Sequence, residues 1–203
     1  SYKKFFKKYK NKKKIKIAFV DKDFKIFKNF DHETIKQYQK TLSKLRKTSF
    51  SISKIQLNQI FNNFHKNFYQ VYHNSLYYYL KNINSSFEGL SKNLKCIVDE
   101  GKKISYLKKE NAIKKINIAK KKFEKKFANY DFIIIPTTAG AAPKLNQNEK
   151  DDTCLIWTTF GLPSITIPVY KTKTKKLPFG LQIISKKYND FSLLNFAEKI
   201  LKL

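Results

Sequence analysis

Tyr130-Asp131-Phe132-Ile133-Ile134-Ile135-Pro136-Thr137-Thr138-Ala139-Gly140-Ala141-Ala142-Pro143 is the stretch on which the fold turns. Phe132 to Ile135 is an unbroken apolar run without alternation. That pattern predicts a strand buried on both faces. Pro136 has no N–H for the ladder, so it stops the run, and the small residues after it form a loop. Strand ends in open α/β sheets face ligand crevices, and the loop after Ile135 is such an end.

Downstream, Asp151 or Asp152 can cap a short helix that runs through Trp157 and closes at Gly161. Ile165 and Ile167 alternate with small polar residues in a strand that Pro168 is expected to end. Lys171–Lys176 reads as a charged turn, and 179–185 as a further apolar strand. Asp190 can cap a last helix with Leu193, Leu194, Ala197, Ile200 and Leu201 inward. Gly161, Pro163, Pro168 and Gly180 all read as terminators of elements.

Upstream, Ile15, Ile17 and Phe19 have strand period. Asp31 can cap a helix carrying Ile35, Tyr38, Leu42 and Leu45 on one face, and Phe50 and Ile52 begin another strand. Strand, helix and strand in that order predict a parallel pair. Ser53-Lys54-Ile55-Gln56 reads as a capping box opening a long helix. Its apolar stripe would comprise Leu57, Ile60, Phe61, Phe64, Phe68, Val71, Tyr72, Leu76, Tyr79 and Leu80, facing a core. Leu94, Ile97 and Val98 form a shorter face ended by Gly101. Ser105 can cap a final upstream helix with Ala112, Ile116, Ala119, Phe123 and Phe127 inward. Residues 1–14 form a basic lead-in, and 15–203 a single α/β portion of a domain.

The 203 residues include 43 Lys+Arg against 15 Asp+Glu, a net charge of +28. Arg46 is the one arginine, whereas nucleic-acid sites use the guanidinium fork heavily. Lys, Asn, Ile, Phe and Tyr are abundant together, which points to AT-rich codon usage rather than to selected nucleic-acid binding. The alternative of another class is a Lys-rich module for nucleic acid or an anionic membrane surface. With 41% hydrophobic residues and 15% aromatics there is material for a core, and no apolar run reaches the roughly 20 residues of a membrane span. No signal peptide is visible. Two cysteines, Cys96 and Cys154, in no disulfide pattern fit a cytoplasmic protein.

His32, His65, His73 and the cysteines show no metal-ligand spacing, so no metal is expected. There is no P-loop, no G-x-G-x-x-G and no G-x-S-x-G. The chain opens on Ser1 and contains no Met, which suggests that a longer reading frame precedes it.

Several of these segments resemble motifs of the amidase signature enzymes. Tyr130–Thr138 resembles that family's "yD-hydrophobic-Pro-Thr" segment, and Ala142-Pro143 its Ala-Pro. Trp157-Thr158-Thr159-Phe160-Gly161-Leu162-Pro163-Ser164-Ile165-Thr166-Ile167-Pro168 is similar to its "W-t-x-x-G-x-P-a" segment. Leu177-Pro178-Phe179-Gly180-Leu181-Gln182 is similar to its "lPvGlQ", and Leu193-Leu194-Asn195-Phe196-Ala197 to its "LL-x-x-A". Ile15–Val20 resembles the strand that begins the family's second half, and Ile97–Gly101 followed by Tyr106 its "i-x-x-G…y" stretch.

The resemblance implies the C-terminal half of the amidase signature fold, a mixed sheet covered by helices. It implies a complete protein that cleaves a carboxylic amide through a Ser-bound acyl intermediate, needing no metal or cofactor. The family's Ser nucleophile, second Ser and Lys lie in a Gly/Ser-rich first half. The five glycines here are isolated, and Ser85-Ser86 lacks glycine flanks. No catalytic residue is therefore assigned to this chain, which alone should be inactive. Its implied partners are a small amide substrate and the missing half of the domain. Specific nucleic-acid or membrane partners are not expected, and a homodimer stays open. By resemblance Thr137, Thr138 and Trp157 would lie near the substrate, with a buried core position as the other reading of Trp157. The alternative within the family is the A subunit of a tRNA-dependent glutamyl/aspartyl amidotransferase. The corresponding segment there usually reads "N-x-A-G-L-P", from which Trp157-Thr158-Thr159 departs.

Overall fold

The computed structural model describes residues 14–203 apart from 22, 84, 85, 146, 148–150 and 175. All but the last residue of the lead-in, and Ser85, lie outside the described residues. The chain divides into two compact units, residues 1–57 with 126–203, and 58–125.

Among the described residues, the first unit is built on five strands: β1 (Lys16–Val20), β2 (Ser51–Ile55), β3 (Phe132–Pro136), β4 (Ser164–Lys171) and β5 (Pro178–Ser185). Their order is β2-β1-β3-β5-β4. β1 runs parallel to β2 and to β3, whereas β5 is antiparallel to both β3 and β4. The sheet is therefore mixed. The central run behaves as its composition predicts, since all five residues of β3 are buried. β1 differs from its predicted alternation: Ile17, Ala18, Phe19 and Val20 are all buried, and β2 and β3 pair along its two edges, so it lies inside the sheet.

Among the described residues three α-helices lie wholly in this unit, α1 (His32–Leu45), α5 (Cys154–Phe160) and α6 (Asp190–Leu201). α1 turns Thr34, Tyr38, Leu42 and Leu45 inward, with Ile35 half-buried. The Tyr38 hydroxyl lies 3.0 Å from Val20 O and 2.9 Å from Ile134 O, so it ties α1 to two strands. Burial holds its proton on well above the usual phenol range. The Gln37 amide donates to Lys171 O at 2.7 Å and accepts from Lys171 N at 3.3 Å. It substitutes for a neighbouring strand at the end of edge strand β4. In α6, Leu193, Phe196, Ala197 and Ile200 are buried, while Leu194 and Leu201 are exposed. Phe196 replaces them by stacking on Phe132 with centroids 4.2 Å apart.

Two expectations about strands fail for tertiary reasons. Ser53, Lys54 and Ile55 do not open a helix; they pair in register with Ala18, Phe19 and Val20. Lys54 is held at 2.8 Å from Asp21 and 2.6 Å from Asp23. A local capping box cannot compete with a parallel ladder that covers β1. Pro168 does not end β4, which continues to Lys171 through a register shift between Ile167 and Tyr170. Proline is tolerated there because the strand is an edge and the ladder is already interrupted.

The second unit contains α2 (Phe64–Ile83), α3 (Lys92–Lys102) and all but the end of α4 (Tyr106–Phe127). α2 begins after Asn63, whose φ of +58° suits asparagine. The Ser91 side chain accepts from Leu94 N, and the Ser105 side chain from Lys108 N, so both serines cap. Gly101 lies within α3 rather than after it. A Cβ there would sit 2.1 Å from the His73 carbonyl oxygen and 2.9 Å from Tyr77 Cβ. The helices α2 and α3 touch backbone to backbone at this point, and Asn74 Nδ2 donates to Ile104 O at 2.9 Å. On α4, Ala112 and Phe123 are buried, with Phe123 6.0 Å from the Phe61 ring. The inward face of α2 is Phe64, Asn67 and Asn74. The predicted aromatic core stripe is overturned in part: Phe68, Val71, Leu76 and Leu80 are half-buried, and Tyr72 and Tyr79 are exposed.

Candidate functional site

The carboxyl end of β3 opens into a cleft of about 370 Å³. Its walls are the loop from Thr137 to Pro143, Asp152, Thr166 on β4, and Pro178 to Gly180 on β5. The loop is held from several sides. Thr137 N donates to Gly180 O at 2.9 Å, and Thr153 N donates to Thr137 O at 2.9 Å. Ala139 N donates to Asp151 O, Asp31 N to Ala139 O, and Asn29 Nδ2 to Asp151 Oδ2. Thr138 and Asp152 form an isolated antiparallel bridge.

Beneath the loop, the buried Thr153 hydroxyl lies within 3.2 Å of three acceptors, Pro136 O, Thr137 O and Gln182 Oε1. Gln182 in turn donates to Cys154 Sγ at 3.3 Å. This buried polar knot fixes β3, β5 and the start of α5 together and sets the position of the two loop threonines.

Thr137 and Thr138 line the cleft together. The Thr137 hydroxyl is 3.2 Å from that of Thr166, and Thr138 donates to Gly140 O at 2.7 Å. Trp157 is elsewhere. Its side chain is fully buried within α5 and is not part of the cleft wall. Gly161 does close α5, at a φ of +63°. Asp152, rather than a helix-interior group, takes the first orphan N–H of α5, accepting from Cys154 N at 2.7 Å.

Sequence reasoning missed Asp152, Thr166, Phe179 and Gly180 as parts of the wall. Gly180 carried a usable signal, because an isolated glycine inside a strand marks close approach. It terminates nothing: it sits in β5, and a Cβ would lie 2.2 Å from Thr166 Cγ2 and 3.0 Å from Thr137 Oγ1.

Chemically the wall offers three threonine hydroxyls and one carboxylate. Among the described residues that line it there is no Ser, Cys, His or Lys. Cys154, just behind it, is held above the usual thiol range, first by burial and then by the Asp152 charge. A thiol held protonated is a poor nucleophile. Cys96 is exposed. A maleimide or iodoacetamide titration is therefore expected to modify Cys96 first, with Cys154 reacting markedly more slowly at neutral pH. Peptide mapping of the time course checks this, and equal rates would contradict it.

A larger groove of about 700 Å³ runs between α1 and the β4–β5 turn, and Lys36, Lys40, Lys44, Lys171, Lys173 and Lys176 line it. Lysine is abundant along most of the chain, and none of the residues singled out by motif lies there. Among the described residues no group of His, Cys, Asp and Glu could hold a metal ion, and no helix is long and apolar enough to cross a membrane.

Comparison with known proteins agrees with this geometry. The family described as "Amidase" matches residues 2–194. The A subunit of the glutamyl-tRNA(Gln) amidotransferase from Brachyspira hyodysenteriae is 25% identical over 130 residues, which is 60% of this chain and 27% of that protein. A crystal structure of an amidase superposes with a TM-score of 0.80 at 15% identity, covering 93% of this chain and 45% of that one. Kluyveromyces lactis allophanate hydrolase superposes with a TM-score of 0.77 at 19% identity, covering 95% of this chain and 32% of that one. The chain thus spans less than half the length of the proteins it matches. With its mixed sheet and with nearly all its residues matched by one family, the chain belongs to the amidase family, the amidase signature enzymes.

Proposed function

We propose that these residues form the substrate-facing wall of an amide hydrolase whose nucleophile lies on polypeptide outside them. The observation that supports this reading is the cleft at the end of β3, walled by the hydroxyls of Thr137, Thr138 and Thr166 and the Asp152 carboxylate. In the complete enzyme a serine Oγ would attack the amide carbonyl carbon and the C–N bond would break. The proton would pass to the leaving amine, and water would then hydrolyse the acyl ester. Thr137 and Thr138 would hydrogen-bond the substrate, Thr166 would support Thr137, and Trp157 would pack behind them. The open edge of β4 lies beside the cleft, where further strands of the complete domain can join.

The second reading, the tRNA-dependent amidotransferase, is favoured by the names of the curated relatives. The segment Trp157-Thr158-Thr159 favours a stand-alone amidase. We infer a cytoplasmic location from the two unpaired cysteines.

In the complete enzyme, Thr138→Val is expected to raise KM with kcat little changed. One lost hydrogen bond of about 0.5–1.5 kcal/mol lowers kcat/KM roughly 2- to 10-fold. Steady-state kinetics on small amides, with and without partner proteins of an amidotransferase, tests both readings. An unchanged kcat/KM would remove Thr138 from the site. Turnover only in the presence of those partners would favour the second reading.

A further inference from the structure

The groove between α1 and the β4–β5 turn has no part in the cleft, and its charge is unbalanced. It holds about 700 Å³, within the range of small-molecule sites. Six lysines and one acidic side chain, Glu33, line it. Glu33 is already engaged, since its Oε1 accepts from Lys173 N at 2.9 Å and from Gln37 Nε2 at 3.3 Å. Among the described residues, none of the six ammonium groups has a carboxylate partner or a hydrogen-bond acceptor.

Codon usage alone does not account for where these lysines stand. α1 has three lysines among its 14 residues, and all three, Lys36, Lys40 and Lys44, are spaced four apart. At about 100° per residue they share an arc of about 80° and run for about 12 Å. Gln39 and Ser43, exposed beside that row, are uncharged. Like charges at i, i+4 cost helix stability unless an anion offsets them. Lys171, Lys173 and Lys176, from the end of β4 and its turn, line the same groove.

The floor is apolar, with Leu45, Val169 and Ile200. Tyr170 joins them at 2% exposure, and its hydroxyl, with Thr41 beside it, has no hydrogen-bond partner of ordinary length. Burial keeps the proton on, so this is a donor without an acceptor. A buried donor left unpaired is costly, and here it borders a groove rich in cations.

We propose that the groove binds a small organic ligand bearing a diphosphate or triphosphate group. Its phosphates lie between the lysine row of α1 and the lysines of the turn, its organic part lies on the apolar floor, and the Tyr170 hydroxyl donates to it. Linked phosphates bring several negative charges to one concave site, whereas a single carboxylate would leave most of the cations repelling one another. Lysine binds phosphate as a point charge and needs no guanidinium fork for it. A nucleic-acid strand fits less well, because no exposed Phe, Tyr or Trp lines the groove for base stacking. Gln37 already occupies the Lys171 N–H and carbonyl, so a strand added to β4 finds no free ladder groups there.

Isothermal titration calorimetry of the complete polypeptide with ATP, without divalent cations, tests this. The expected result is one ATP per chain, with an affinity that falls as salt rises. Lys40→Gln should weaken binding about tenfold and Tyr170→Phe about fivefold, neither lowering the thermal transition. Lys114→Gln, which removes the same charge from an exposed position of α4, should leave binding unchanged. Inorganic triphosphate should bind about tenfold more weakly than ATP, because it leaves the apolar floor uncovered. Absence of ATP binding would overturn the proposal. So would equal weakening by Lys40→Gln and Lys114→Gln, which would assign the binding to net charge, or an affinity indifferent to Tyr170→Phe. Triphosphate binding as tightly as ATP would overturn the assignment of an organic ligand. A short single-stranded RNA that binds more tightly than ATP, and loses as much to Lys40→Gln, would make the groove a nucleic-acid surface instead.

Discussion

Trp157→Ala is expected to lower the unfolding free energy of the chain by about 3–5 kcal/mol, the usual cost of emptying a buried aromatic site. The side chain is fully buried, between Ile156 and the equally buried Phe160 on a helix of seven residues. That helix follows directly on the Thr153 and Gln182 knot that positions the cleft loop. In the described structure the indole is buried and does not line the cleft. Urea unfolding followed by circular dichroism checks the value, because the substitution deletes the chain's only tryptophan and its fluorescence. Trp157→Phe should cost much less. A loss below about 1 kcal/mol, with an altered KM in the complete enzyme, would return Trp157 to the cleft wall.

Gly101→Ala should destabilise the helical unit, by about 1–3 kcal/mol or more. Alanine ordinarily favours a helix interior over glycine by roughly 1 kcal/mol, so the expected sign is the reverse of intrinsic propensity. The added Cβ would meet backbone, the His73 carbonyl at 2.1 Å, and backbone cannot swing aside as a side chain does. α2 and α3 would have to separate, which loosens the Asn74 bonds to Gly101 O and Ile104 O. Amide hydrogen exchange across 64–102 reports this directly. Unchanged or slower exchange in Gly101→Ala would contradict the close packing.

Much of the first unit was legible because its signals are not local compromises. Phe132–Ile135 reads as an interior strand from composition alone, and β3 is buried throughout. The turn glycine Gly161 and the strand β5 were equally plain. Failures came where a partner distant in sequence decides. Ser53–Gln56 satisfies a helix cap locally, yet the backbone of Ser53, Lys54 and Ile55 is claimed by β1, paired with Ala18, Phe19 and Val20. Gly180 and Pro168 look like terminators until the edge position of β4 and the nearness of Thr166 are known. The α2 stripe has perfect core periodicity, but periodicity reports amphipathicity and not which face is covered. Of the cleft wall, the two loop threonines are singled out by the motif. Asp152 and Thr166 are not, since they reach the cleft only through the bridge to Thr138 and the β4–β5 pairing.

The central claim is that these residues supply a wall and not the nucleophile. A fluorophosphonate serine probe on the complete enzyme, with the adduct located by peptide mass spectrometry, tests it most directly. A single labelled serine outside the 203 residues, and no labelling of the isolated chain, is the predicted result. An adduct on any serine within the chain, lost when that serine is changed to alanine, would contradict it.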